Sequence, residues 1–167
     1  MSLIVGITGG IGCGKSYMCH KLRQRGYKVY DCDAEAKRIM QTDESIRQQI
    51  EALFGTTESR TIARIVFDNP QMLQRLNAIV HPAVANDLRQ WADSQSDPIV
   101  FVESAILFES GLDKLCWKTV GIIADFETRI ERVLRREGMT REKIIARMNN
   151  QMGDEQRRAL CDHIIMN

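Results

Sequence analysis

A three-layer α/β fold around a five-stranded, mostly parallel sheet is what the sequence predicts, on three observations. The run Leu3-Ile-Val-Gly-Ile-Thr8 is short and apolar, and it leads through glycines into a helical stretch and a second strand. Strand, loop, helix, strand is a βαβ unit, whose strands lie parallel. Further short apolar runs recur at 99–102, 120–124 and 163–166, separated by segments of helical period. The chain has 167 residues, 44% of them apolar and only three of them proline, which is core enough for one domain and argues against disorder as its dominant state.

The elements follow in order. Residues 16–25 carry Met18 and Leu22 at helical spacing, and Gly26 stands as the residue that ends them. Residues 27–30 read as the second strand, which runs out into Asp31-Cys-Asp33, and a helix over 34–41 follows. Asp43 is placed to N-cap a helix with Ile46, Ile50 and Leu53 on one face and Gly55 as its stop. Residues 56–60 read as a short polar link. Pro70 opens a helix whose stripe is Leu73, Leu76 and Val80; His81-Pro82 interrupts it, and Val84, Leu88 and Trp91 continue the pattern. Asp125 caps a helix through Ile130, Val133 and Leu134 to Gly138, and Thr140 starts another with Ile144, Ile145 and Met148.

Composition narrows the classes. Five cysteines are an odd number without a Cys-x-x-Cys pair, so a zinc site or disulfide framework is not expected, and reduced thiols in a cytoplasmic protein are. The apolar runs are too short to span a bilayer, and no basic region precedes the first strand, so neither a membrane nor a signal peptide is expected. A net charge of +1 gives no general attraction for nucleic acid. Nothing in the residues sets an oligomeric state.

The strongest motif is Gly9-Gly10-Ile11-Gly12-Cys13-Gly14-Lys15-Ser16, which matches the phosphate-binding pattern G-x-x-x-x-G-K-[ST] between a strand and a helix. Glycines let the backbone wrap its N–H groups around phosphate oxygens, and the helix that follows adds the positive end of its dipole. Lys15 is expected to reach the β- and γ-phosphates and the Ser16 hydroxyl to ligate Mg²⁺, with Tyr17 beside them in the nucleotide site. Cys13 is expected to face outward beside the phosphates. The guanine-reading Asn-Lys-x-Asp and the Asp-x-x-Gly switch of G proteins do not occur, which argues against a GTPase and is in keeping with a kinase that uses ATP.

Asp31 and Asp33 lie at the C-terminal end of the second strand, the ligand edge of an open α/β sheet. Asp33 reads as the group that takes the proton from an acceptor hydroxyl, or as the N-cap of the helix behind it. Glu103 ends the third strand at the same edge, either holding Mg²⁺ through water or pairing with an arginine of a lid. Eight arginines fall between positions 129 and 158. Some suit a solvated helix face with pairs such as Glu131–Arg135 and Glu137–Arg141; the others suit a lid, with its tip at Glu137-Gly-Met-Thr140, that neutralises a phosphoryl group in flight.

With these residues in place, the chain resembles the dephospho-coenzyme A kinase family over nearly its whole length. Gly6-Ile-Thr-Gly-Gly-Ile-Gly-Cys-Gly-Lys-Ser16 resembles that family's opening motif and Tyr30-Asp-Cys-Asp-Ala34 its Asp-x-Asp. Val66-Phe67, His81-Pro82, Ile106-Leu-Phe-Glu109, Arg132-Val-Leu-Arg-Arg136, Gly138, Arg147, Gln151 and the closing Asp162…Asn167 are similar to the rest of its pattern. The resemblance implies transfer of the ATP γ-phosphoryl to the 3′-hydroxyl of dephospho-coenzyme A. It further implies Asp33 as base, Arg136 as the main lid arginine on the phosphates with Arg147 nearby, and His81 facing the acceptor pocket; Arg60 and Glu103 are further candidates for substrate contact. Three departures stand out. Glu103-Ser-Ala105 lacks the proline usual before Leu-Leu-Phe-Glu, the stretch from Gly55 to Val66 is shorter and sets Arg60 one position off, and Asn167 precedes the family's usual C-terminal helix. The last two are what a sequence lacking mobile segments would present.

The expected organisation is a single domain with a core of 1–33, 97–125 and 159–167, a helical acceptor region of about 34–96 and a lid of about 126–155. Two rivals differ in consequence. Another small-acceptor kinase, for a nucleotide, sugar or shikimate-like acid, would ignore dephospho-coenzyme A. A nucleotide-binding module without turnover would be indifferent to Asp33→Asn.

Overall fold

The computed structural model describes residues 1–167. Five strands, β1 (Leu3–Gly9), β2 (Val29–Asp31), β3 (Ile99–Glu103), β4 (Lys118–Ile123) and β5 (His163–Met166), form one sheet in the order β2-β3-β1-β4-β5. Every pairing is parallel. The continuous apolar runs of β1 and β3 have this cause: a parallel strand in the middle of a sheet is covered on both faces. Ile7, Val100, Val102, Ile122 and Ile123 are accordingly almost wholly buried.

Helices α1 (Lys15–Gln24), α2 (Cys32–Thr42), α3 (Glu44–Phe54), α4 (Ser59–Phe67), α5 (Pro70–Ser94), α6 (Phe126–Glu137), α7 (Arg141–Asn149) and α8 (Asp154–Leu160) connect the strands, with a short 3-10 helix at Leu112–Leu115. The chain packs as two units, one of Met1–Asp31 with Ala92–Asn167 and one of Cys32–Trp91. In the first, the connection leaving β1 moves toward β2 and the one leaving β4 moves the other way. Right-handed crossovers in opposite directions put α1 on one face and α6–α8 on the other, which gives the three layers. The direction reverses between β1 and β3, so the crevice that doubly wound sheets use for ligands opens at Gly9 and Glu103. No helix is long and apolar enough to cross a membrane.

Local chemistry sets the helix ends. Asp43, Asp125 and Thr140 accept hydrogen bonds from the N–H groups of Ile46 (3.1 Å), Thr128 (3.2 Å) and Lys143 (3.3 Å), each three residues on, the N-cap geometry their sequence positions predict. Gly55 and Gly138 end α3 and α6 in the left-handed region, at φ 72° and 60°.

Several expectations are corrected. The second strand lies at 29–31 rather than 27–30, and α2 begins at Cys32, so Asp33 sits within its first turn instead of at its cap. His81-Pro82 does not interrupt a helix: α5 runs unbroken through Pro82 for 25 residues. A proline inside a helix removes one backbone hydrogen bond, and burial of Val80, Val84 and Leu88 on one face offsets that loss. Leu73, expected in the stripe, is exposed. Two short helices, α4 and α8, went unforeseen.

Leu88 is fully buried within the helical unit. Leu88→Ala is expected to lower stability by about 3 kcal/mol, read from the midpoint of urea unfolding at unchanged slope. A loss below about 1 kcal/mol would mean that the site collapses around the missing atoms.

Candidate active site

The glycine loop is shaped from behind. Its glycines at 12 and 14 have φ of 75° and 91°, a region that a side chain would resist. An added Cβ would also collide with protein atoms, at 2.5 Å from the Arg129 carbonyl oxygen for Gly12 and 2.0 Å from Asn167 Nδ2 for Gly14. The turn closes on itself through Cys13 N–H to the Gly10 carbonyl, 3.2 Å. The next three carbonyls all accept from side chains: Ile11 from Arg129 Nε (2.9 Å), Gly12 from Arg132 Nη1 (3.3 Å), and Cys13 from both Arg132 Nη1 (3.2 Å) and Asn167 Nδ2 (3.0 Å). Ile11 N–H donates to Gln151 Oε1 at 2.8 Å. With its carbonyls drawn outward, the loop leads into α1, whose first N–H groups have no acceptor within the helix and open a site for an anion.

A cavity of about 520 Å³ lies over this loop, lined by Gly9 to Tyr17 together with Ala105, Arg132, Arg136, Glu137, Arg147, Gln151 and Asn167. Of the residues expected to bind nucleotide, all nine from Gly9 to Tyr17, and both Arg136 and Arg147, line this one cavity. Arg136 Nη2 and Arg147 Nη1 each contact Glu137, at 2.5 and 3.3 Å. Glu137 thus gathers the two guanidinium groups, and a phosphate is a stronger bidentate partner for the same donors.

Glu103 is 6% exposed beneath the loop, with Lys15 Nζ and Ser16 Oγ each 2.9 Å from its Oε1 and Arg23 Nη2 3.6 Å from its Oε2. Burial pushes this carboxyl up, Lys15 and Ser16 pull it down, and the outcome lies below its ordinary 4.5, so it is ionised at neutral pH. Its arginine partner comes from α1 rather than from the lid side. Asp31 pairs in register with Glu103 at the strand ends. The buried Cys19 thiol is pushed up to about 12 by desolvation and by Glu103.

The structure alters other expectations. Cys13 does not face outward: it is buried in a cluster with Ile7, Cys19 and Ile122. Arg129 and Arg157, read as lid or surface residues, are 7% and 1% exposed. Arg141 pairs with Glu127 (2.8 and 2.6 Å) rather than Glu137, whereas Glu131–Arg135 forms at 3.8 Å. Asp162 accepts from Thr119 N–H and Oγ1 at 2.8 and 3.0 Å and ties β5 to β4.

The remaining candidates belong to the helical unit. Asp33 is exposed in the first turn of α2, Arg60 is exposed in the first turn of α4, and His81 is half-buried midway along α5. A cavity of about 230 Å³ in that unit, lined by Arg38, Asp43, Ser45, Asn86 and Asp87 among others, includes none of the three. Sequence reasoning missed the loop-holding role of Arg129, Arg132 and Asn167, whose partners lie more than a hundred positions away.

The residues fit a bound Mg²⁺·ATP. The backbone cradle tolerates no Cβ at Gly12 or Gly14, and Ser16 Oγ stands beside the Glu103 carboxylate, a hard oxygen pair of the kind Mg²⁺ takes with phosphate and water.

Comparison with known proteins agrees in extent. The family model described as dephospho-CoA kinase matches residues 3–167. The dephospho-CoA kinase of Fusobacterium nucleatum is 34% identical over 99% of this chain and 89% of its own length. A crystal structure from Thermus thermophilus, 37% identical, superposes with a TM-score of 0.88 over 99% of this chain and 88% of that one. A shikimate kinase from Acinetobacter baumannii shares the fold alone, at 15% identity and a TM-score of 0.57 over 84% of its length.

Two outcomes follow. Gly12→Ala is expected to weaken ATP binding about tenfold or more, measured by calorimetry, because the loop must abandon its φ of 75° or displace the Arg129 carbonyl. Burial lowers the His81 pKa from its ordinary 6.5, so its imidazole should titrate below that value by NMR. Its folded pKa is the lower one, so its contribution to stability is present above about pH 6.5 and is lost as pH falls toward the folded value.

Proposed function

This chain belongs to the dephospho-CoA kinase family, and on that premise we propose that it transfers the γ-phosphoryl group of ATP to the 3′-hydroxyl of dephospho-coenzyme A. The products are ADP and coenzyme A, the last step of coenzyme A biosynthesis. The observation that carries the reading is the single cavity in which the whole glycine loop, Lys15 and Ser16 meet Arg136 and Arg147. A transferring phosphoryl group asks little covalent help of the protein; it needs alignment and compensation of spreading negative charge.

Each residue then has a task. Backbone N–H groups at the start of α1 hold phosphate oxygens, and Lys15 leaves Glu103 for the β- and γ-phosphates. Arg136 and Arg147 exchange Glu137 for the γ-phosphoryl oxygens, on a lid of about 126–155 that excludes water. Asp33, two residues beyond the end of β2, accepts the proton of the 3′-hydroxyl. The 3′-oxygen bonds to the γ-phosphorus as the bond to the β,γ-bridging oxygen breaks, and that electron pair leaves with ADP. Ser16 and Glu103 would hold Mg²⁺, which would supply positive charge to neutralise the phosphates. The segment of about 34–96, with His81 and Arg60, receives the acceptor. Free thiols at all five cysteines support a cytoplasmic setting. A net charge near zero supports a small-molecule partner rather than nucleic acid.

ADP release from Mg·ATP, measured with and without dephospho-coenzyme A, tests this directly. Acceptor-dependent turnover should appear in the wild type. In Asp33→Asn it should fall by roughly 10²- to 10⁴-fold while ATP affinity stays within about threefold. Absence of stimulation by dephospho-coenzyme A would overturn the assignment and redirect attention to nucleotide, sugar and shikimate-like acceptors. Full activity in Asp33→Asn would remove the proposed base.

A further inference from the structure

Beneath the glycine loop lies a group of charges that the proposed reaction does not use. Arg157 is 1% exposed and Arg129 7%, and both lean on the same carboxylate: Arg157 Nη1 to Asp154 Oδ1 at 3.3 Å and Arg129 Nη1 to Asp154 Oδ2 at 3.4 Å. Two guanidinium groups against one carboxylate leave one positive charge in excess. Arg157 Nη2 is buried without any hydrogen-bond partner. An unpaired donor and an uncompensated charge in the interior are both destabilising, so the fold tolerates here something it would ordinarily exclude.

The excess charge faces the loop. A Cβ on Gly10 would stand 2.2 Å from Arg129 Nη2 and 3.2 Å from Arg157 Nη1, so both guanidinium groups press against that backbone. Arg129 Nε also holds the Ile11 carbonyl. Both arginines act on the Cys13 thiol inside the loop, where each opposes the effect of burial. Their field therefore reaches the strand-to-helix turn on which phosphates would lie, through an interior that screens it far less than water does.

We propose that Arg157 is a positioning residue for the polyphosphate: through Asp154 it fixes Arg129 against the glycine loop, and its uncompensated buried charge makes the site prefer ligands in proportion to their negative charge. The destabilisation borne by the empty protein is relieved when the anion arrives, so the charge acts as stored affinity for ATP over less charged nucleotides. This inference rests on the reading of the cavity as an ATP site.

Calorimetric titration of Mg²⁺-free ATP, ADP and adenosine into the wild type, Arg157→Met and Arg157→Lys separates the possibilities. Wild-type protein that fails to bind ATP would defeat the functional reading itself, before the variants are considered. With wild-type binding in hand, Arg157→Met should weaken ATP about tenfold and ADP about threefold while leaving adenosine unchanged, since the effect scales with ligand charge. Arg157→Lys should keep the wild-type preference for ATP over ADP within about twofold, because the charge stays although the fork is lost. A role in packing alone would lower the melting temperature and change all three affinities by one common factor, or none, and that outcome would overturn the proposal. If Arg157→Met does not fold, Arg157→Lys decides: loss of the ATP-over-ADP preference there would show that charge is not what Arg157 contributes.

Discussion

A loop that offers its N–H groups to an anion must turn its carbonyls toward the protein, and those carbonyls need donors. Much of the sheet-bearing unit answers to this constraint. Arg129 and Arg132 supply two of the donors from one face of α6, three residues apart and so on the same side of the helix. Asn167 supplies another, delivered by the register of β5 on β4, which Asp162 secures through Thr119. Because Arg129 is drawn inward it needs an acid, so Asp154 accompanies it, and Arg157 follows on the same short helix.

Charge in this unit is arranged by depth rather than by total. The chain as a whole carries +1, yet cations line and underlie the cavity while its buried carboxylate, Glu103, sits under Lys15. Glu103 holds Lys15, and Glu137 holds both Arg136 and Arg147. Each pair restrains a flexible cation at the cavity, which limits the conformational entropy that ordering it for a ligand would cost.

Most of the fold was legible because its signals are local. The apolar runs of β1 and β3, the caps Asp43, Asp125 and Thr140, and the stops Gly55 and Gly138 each depend on residues within a turn of one another. The same holds for the glycine loop. What was not legible depends on distance or on balance. Pro82 should break a helix, and it does not because the buried stripe of Val80, Val84 and Leu88 outweighs one missing hydrogen bond. Helix α8 is only seven residues long and polar, and what marks it is the burial of Arg157, which nothing in its neighbours announces. Cys13 reads in sequence as a residue facing out beside the phosphates, but it is buried with Ile7, Cys19 and Ile122, the last of which lies far from it in the chain. Arginines in the second half of the chain look alike in sequence, and only the fold sorts the buried Arg129 and Arg157 from the exposed Arg136 and Arg147.

The bond from Asn167 to the Cys13 carbonyl spans 154 positions. The phosphate-binding motif is therefore made early in synthesis, and the Asn167 part of its clamp forms only when the far strand is made and docked. Closing so long a loop is slow relative to local structure. A ligand that needs the clamped loop would therefore stabilise, by mass action, only molecules in which the far strand is in place.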